Sequence, residues 1–147
     1  MRSIRIFLFL SSLLFTGSVA AYPHYAVIEP HRTLMFFSPG FDEKVADFKR
    51  QVLIHRCQIE DRDLYTLILD TGTLSDSAGI FSAKDVLKLK NKYRIGSDEH
   101  IAVLIGKDGT EKARWFQTID INELVEIIDD MPMRQAEIRK RGLRCSI

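Results

Sequence analysis

TLMFFSPGFDEKVADFKRQV, residues 33–52, decides how this chain folds. Residues 33–38 form a short, nearly continuous apolar run, the pattern of a strand covered on both faces. Pro39 and Gly40 end it, and Asp42 is placed to cap a helix. Val45, Phe48 and Val52 then recur at helical spacing, with Lys44, Asp47, Lys49 and Arg50 mostly off that stripe. The helix is expected to end near Cys57. A buried strand running straight into an amphipathic helix starts an α/β architecture.

Working outward towards the C-terminus, residues 64–69 (LYTLIL) read as a second buried strand. A Gly-, Ser-, Thr- and Asp-rich loop follows over 70–81. Ser82 opens the next helix, with Asp85 at the partner position of a capping box and Val86, Leu89 and Tyr93 as its apolar stripe. Residues 101–105 (IAVLI) form a third strand. Gly106-Lys107-Asp108-Gly109 makes a hairpin turn, because Asp-Gly readily supplies positive φ. Residues 112–116 (KARWF) return as a fourth strand at a sheet edge. Asp120 caps the last strong helix, with Glu123 completing a second capping box, and Ile121, Leu124, Val125, Ile128 and Met131 line one face. Pro132 ends or kinks it, and a further short helix over 134–141 closes at Gly142. The expected order is β-α-β-α-β-β-α, the minimal thioredoxin-like arrangement, with a four-stranded mixed sheet flanked by helices.

Towards the N-terminus, residues 1–21 read as a secretory signal peptide. Arg2 and Arg5 give a positive start, residues 6–15 a short apolar stretch, and Ser18, Val19, Ala20 and Ala21 a cleavage region. The apolar stretch is about half of the ~20 residues that span a bilayer, so no membrane span is expected after cleavage. Residues 22–32 read as an extended arm, 33–142 as the folded domain and 143–147 as a tail. The protein is thus expected to be exported, to a bacterial periplasm or the extracellular space. Removing Arg2 and Arg5 from the 21 basic residues leaves 19 against 20 acidic ones, a formal charge of −1. That balance does not fit a phosphate-neutralising nucleic-acid binder.

Thioredoxins carry a reactive cysteine at the start of the first helix, where the helix dipole stabilises the thiolate. Residues 38–44 (SPGFDEK) contain none, and residues 96–100 (GSDEH) lack the proline that thioredoxins place before the third core strand. The two cysteines, Cys57 and Cys145, lie elsewhere. In the thioredoxin order the first and last helices share a sheet face and run the same way, so Cys57 and Cys145 can meet. A structural disulfide, two free thiols and a functional redox pair all remain open. His24, His31, His55 and His100 have no metal-ligand spacing, so no metal or cofactor is implied. Ser38 lacks the Gly-x-Ser-x-Gly elbow and reads as a turn residue. Arg134, Arg139, Lys140, Arg141 and Arg144 read as a solvated, cationic helix end, with an anionic partner surface as the alternative. Trp115 and Phe116 belong either to the core or to a partner surface.

Arg62-Asp63-Leu64, Leu104-Ile105-Gly106-Lys107-Asp108-Gly109, Lys112, and the run Ile128-Asp129-Asp130-Met131-Pro132-Met133-Arg134 together resemble the family catalogued as domain of unknown function 4174. That family is grouped with peroxiredoxin-like extracellular proteins sometimes called P-DUDES. The resemblance spans about 32–141, and Met-Pro-Met-Arg is its most specific part. It implies a thioredoxin-like fold and an exported location, without a settled activity. The role of the motif residues stays open, and the hairpin and the last helix are not expected to form a joint site. The leading expectation is a non-catalytic module that binds a protein or envelope component. The alternative is a peroxiredoxin-like or thiol-exchange enzyme using Cys57, with Cys145 as its resolving partner.

Overall fold

The computed structural model describes residues 30–145. The expected signal peptide, most of the arm and the last two residues lie outside that range. Strand β1 (Arg32–Ser38) leads to α1 (Glu43–Ile54) and the short α2 (Arg56–Asp61), then β2 (Leu64–Asp70) and the two-residue β3 (Ser75–Asp76). Helix α3 (Ala83–Lys92), the hairpin β4 (Ile101–Ile105) and β5 (Glu111–Phe116), then α4 (Ile121–Asp129) and α5 (Pro132–Arg141) complete the chain.

The sheet order is β3-β2-β1-β4-β5. β1 and β2 are parallel, and the remaining pairs are antiparallel. This mixed α/β sheet flanked by helices is the thioredoxin-like arrangement expected, with five strands in place of four. The additional strand pairs only Ser75 and Asp76 with Asp70 and Leu69, too short for any alternation to be read.

The period of two along each strand sorts the core into two layers. Leu34, Phe36, Ile68, Ala102 and Leu104 face Val45, Phe48, Ile59, Leu124 and Ile128. Met35, Phe37, Leu69, Ile101 and Val103 face Val86, Tyr93 and Ile95. Helices α1, α2 and α4 therefore cover one side of the sheet, and α3 the other. Both faces of the three central strands are buried, which is why those strands read as apolar runs.

Three local expectations need correction. The first helix stops at Ile54, where His55 leaves helical geometry (φ −96°, ψ 21°) and its N–H bonds both Gln51 and Leu53 carbonyls. Cys57 thus lies in the first turn of α2, not at the end of α1. The second capping box is half formed: Asp120 accepts from the Asn122 and Glu123 N–H groups, but the Glu123 carboxylate takes the Trp115 indole N–H at 2.7 Å. Helix α5 begins at Pro132, whose missing N–H costs nothing at a helix start, and ends at Gly142 with φ 76°. The Ser82–Asp85 capping box forms as expected.

Candidate functional site

Two ends of the sheet hold the polar residues of interest. At the end where β1 begins, the family-like motif residues converge. Arg134 is fully buried; its guanidinium donates to the Asp61 carboxylate at 2.6 Å, the Asp61 carbonyl at 2.8 Å and Asp129 at 3.0 Å. Arg62, also buried, grips the same Asp129 through two bonds, 3.0 and 2.5 Å. Arg32 pairs bidentately with Glu137 at 3.2 Å and donates to the Arg62 carbonyl at 2.7 Å. Lys107, from the β4–β5 turn, bridges Asp63 and Glu137 at 2.9 Å each. Arg141 reaches the Asp61 carbonyl at 2.6 Å.

The hairpin and α5 are therefore joined through Glu137, contrary to expectation. Arg134 is likewise no solvated helix end: it is an interior ion, while Arg139 and Lys140 remain outside. Burial alone would push the Glu137 carboxyl up, but Lys107 and Arg32 outweigh it and hold it below its ordinary value of 4.5. Asp63 behaves likewise: burial opposes ionisation, and Lys107 and Arg141 prevail. Its backbone sits in the left-handed region (φ 47°), which Asp tolerates better than most residues.

Other motif residues have narrower tasks. Lys112 donates to Asp108 at 2.6 Å across the turn, and that bond with the Thr110 N–H lowers the Asp108 carboxyl to about 2. Gly109 supplies the positive φ (75°) that closes the turn onto the Gly106 carbonyl. At Gly106 a Cβ would meet the Lys112 side chain at 2.5 Å. Met131 precedes α5 and packs on the core, Pro132 starts the helix, and Met133 is half exposed.

Cys57 and Cys145 are bonded to each other, with Cα atoms 5.9 Å apart across 88 residues of sequence. The bond fastens the segment after α5 to α2, beside the ion cluster. Cys57 is exposed and Cys145 is buried.

The opposite end, where β1 finishes, is the position of sulfur chemistry in thioredoxins. Asp42 caps α1 there, accepting the Val45 N–H at 3.1 Å. Its second oxygen meets His100 Nε2 at 2.7 Å, joining the start of α1 to the start of β4. Burial opposes ionisation of Asp42, but the Val45 N–H and His100 overcome it and keep the carboxyl below 3.8. Ser38 is buried and donates to the Gly40 carbonyl at 2.5 Å, a turn-forming role. Gln117 has φ 70°, donates its N–H to the His100 carbonyl at 2.8 Å and accepts from Lys44 at 3.2 Å. Trp115 belongs to the core, whereas Phe116 is 65% exposed.

Of the other histidines, His31 lies against Tyr65 with ring centres 4.4 Å apart, and His55 marks the α1–α2 break. His24 is outside the described residues. Among the described residues, no three His, Cys, Asp or Glu side chains converge to hold a metal ion. None of their helices is long and apolar enough to cross a membrane.

No sequence pattern announces the buried arginine cluster, because pairs such as Arg62–Asp129, Arg134–Asp61 and Arg32–Glu137 lie far apart in sequence. The only signal was compositional: Arg62, Lys107 and Arg134 all sit in the motifs. Compared with known families, residues 25–137 match the one described as a domain of unknown function (DUF4174). None of the curated proteins compared with the chain matches it.

Proposed function

The chain belongs to the DUF4174 family, and from that premise we propose that it is an exported, non-catalytic binding or structural module on a thioredoxin-like frame. One observation carries the reading: the two cysteines are bonded to each other at the far end of the sheet, while Asp42 occupies the helix start that thiol chemistry uses. The motif residues point the same way. Arg62, Lys107 and Arg134 spend their donors on Asp61, Asp63, Asp129 and Glu137, so they serve the frame and not a substrate. Export is supported by the charged start, short apolar stretch and small residues of positions 1–21, and by a disulfide of the kind that persists in oxidising compartments.

The alternative is a peroxiredoxin-like or thiol-exchange enzyme with Cys57 as the reacting sulfur. The exposure of Cys57 beside a buried partner favours it, since an incoming thiolate reaches Cys57 first.

Thiol labelling of the denatured, non-reduced protein separates the two. The module reading expects both cysteines blocked and, after reduction, hydrogen peroxide reacting with Cys57 no faster than with free cysteine. Free thiols with a rate far above free cysteine overturn it. N-terminal sequencing of chain recovered outside the cytoplasm checks export; an intact Met1 there contradicts signal cleavage.

A further inference from the structure

Two cavities open side by side where α1 begins. One, of ≈ 120 Å³, has Phe36 and Phe48 at its floor and Glu43 and Asp47 on its rim. The two rings stack with centres 4.6 Å apart, so the floor is firm. The other, of ≈ 140 Å³, is lined by Asp98, Glu99, His100 and Phe116. Lys44 and Gln117 line both, so the exposed hydrogen bond between them stands as the partition.

Charge selects the occupant. Glu43, Asp47, Asp98 and Glu99 give the pair of cavities four carboxylates. Lys44 and the His100 imidazole are the basic groups in the two linings, and His100 is already engaged by Asp42. Asp47 pairs with Arg50 on its own helix and Glu99 accepts the Gly96 N–H, whereas Glu43 and Asp98 form no ion pair with a described residue. Among the described residues Lys44 is held by a neutral amide in an exposed setting, so an incoming cation can displace it at little cost. Phe116 offers an open ring face beside the second cavity, where cations bind favourably.

The apolar floor suits the aliphatic stem of lysine or arginine, which a bare metal ion lacks. The carboxylates also divide between two cavities and do not converge on a point. Finally, β5 is an edge strand, and its last residue, Phe116, lines the second cavity. An extended chain can therefore run along β5 and enter the groove.

We propose that this double cavity docks an extended basic segment of a partner polypeptide, with one cationic side chain in each cavity across the Lys44–Gln117 bond. The proposal rests on the reading of the chain as a binding module. It fails separately, because thiol reactivity does not involve Glu43 or Asp98.

The test is titration of the full disulfide-bonded chain, followed by amide chemical shifts. The probes are a short capped peptide of alternating lysine and alanine, its glutamate counterpart and spermidine. Shifts at Lys44, Asp98, Phe116 and Gln117 are expected with the lysine peptide only. They should weaken by about tenfold in Glu43→Gln/Asp98→Asn, whose altered side chains are exposed, and weaken again in high salt. Equal response to the glutamate peptide, shifts elsewhere, or binding indifferent to the double substitution overturns the proposal. Spermidine binding as tightly as the peptide also overturns it, in favour of a small polyamine.

Discussion

Arg134 shows what a single residue does for this protein. Its guanidinium sits at 0% exposure against an Asp61 side chain at 1%. Both ions lost their water on folding, and each is tolerable only because the other is present. Arg134→Met should therefore destabilise the chain by roughly 3–5 kcal/mol, read as a fall in the urea midpoint, since Asp61 is left charged and unpaired. Arg134→Lys should recover only part of that loss. An ammonium cannot reach Asp61 and Asp129 with the flat fork of donors that the guanidinium presents. A midpoint for Arg134→Lys equal to that of the unaltered chain would contradict the assigned geometry. None of this was legible from the residue type: a cation in the last turns of a chain usually faces water, and its acceptors are 73 and 5 positions away.

Helix α5 poses the same question for a whole element. Its amino acids PMRQAEIRKR carry no apolar stripe, and Arg134 is its only buried member among the described side chains. Glu137 pairs with Arg32 of β1 and Lys107 of the β4–β5 turn, and Arg134 with Asp61 of α2, so that α5 is held to the rest of the fold by ion pairs in place of hydrophobic burial. The folded carboxyls of Glu137 and Asp63 bind protons less readily than in the unfolded chain. The unfolded state therefore takes up more protons in acid, and the stability they supply, present above their ordinary values of 4.5 and 3.8, is lost as pH falls through the lowered folded values. Urea midpoints measured downward from neutral pH should fall across that window, and Asp63→Asn/Glu137→Gln should flatten the slope. An unchanged slope would remove these two groups from the account. The contrast with α4 explains what periodicity can and cannot reveal. Ile121, Leu124, Val125 and Ile128 announced the buried face of α4 and are all in the core. The docking of α5 depends on ion pairs set by tertiary distance, for which no sequence period exists. The halt at His55 and the two-residue β3 leave no trace in the sequence for the related reason that each is shorter than any repeat.

For the whole molecule, the parallel opening, the crossover to α3 and the closing hairpin were all readable, because the three central strands are buried on both faces and α1, α3 and α4 each start at an Asp or Ser cap. Readable too was the absence of sulfur at the start of α1. The Cys57–Cys145 bond closes a long loop, and on chain-entropy reasoning its removal by Cys57→Ser/Cys145→Ser should cost roughly 4–5 kcal/mol. Calorimetry of the double variant checks this; a melting temperature unchanged from the parent would mean that the cluster alone holds the C-terminal end. The Arg32–Glu137 pair has a consequence in time. Arg32 opens the first strand, yet its counter-ion is made 105 residues later. A nascent chain that has not yet emitted Glu137 can bury Arg32 only as a naked charge, so every shorter fragment is penalised for closing its sheet. Wherever the chain folds, the sheet therefore gains its full reward for compaction only once the closing helix is present to supply Glu137.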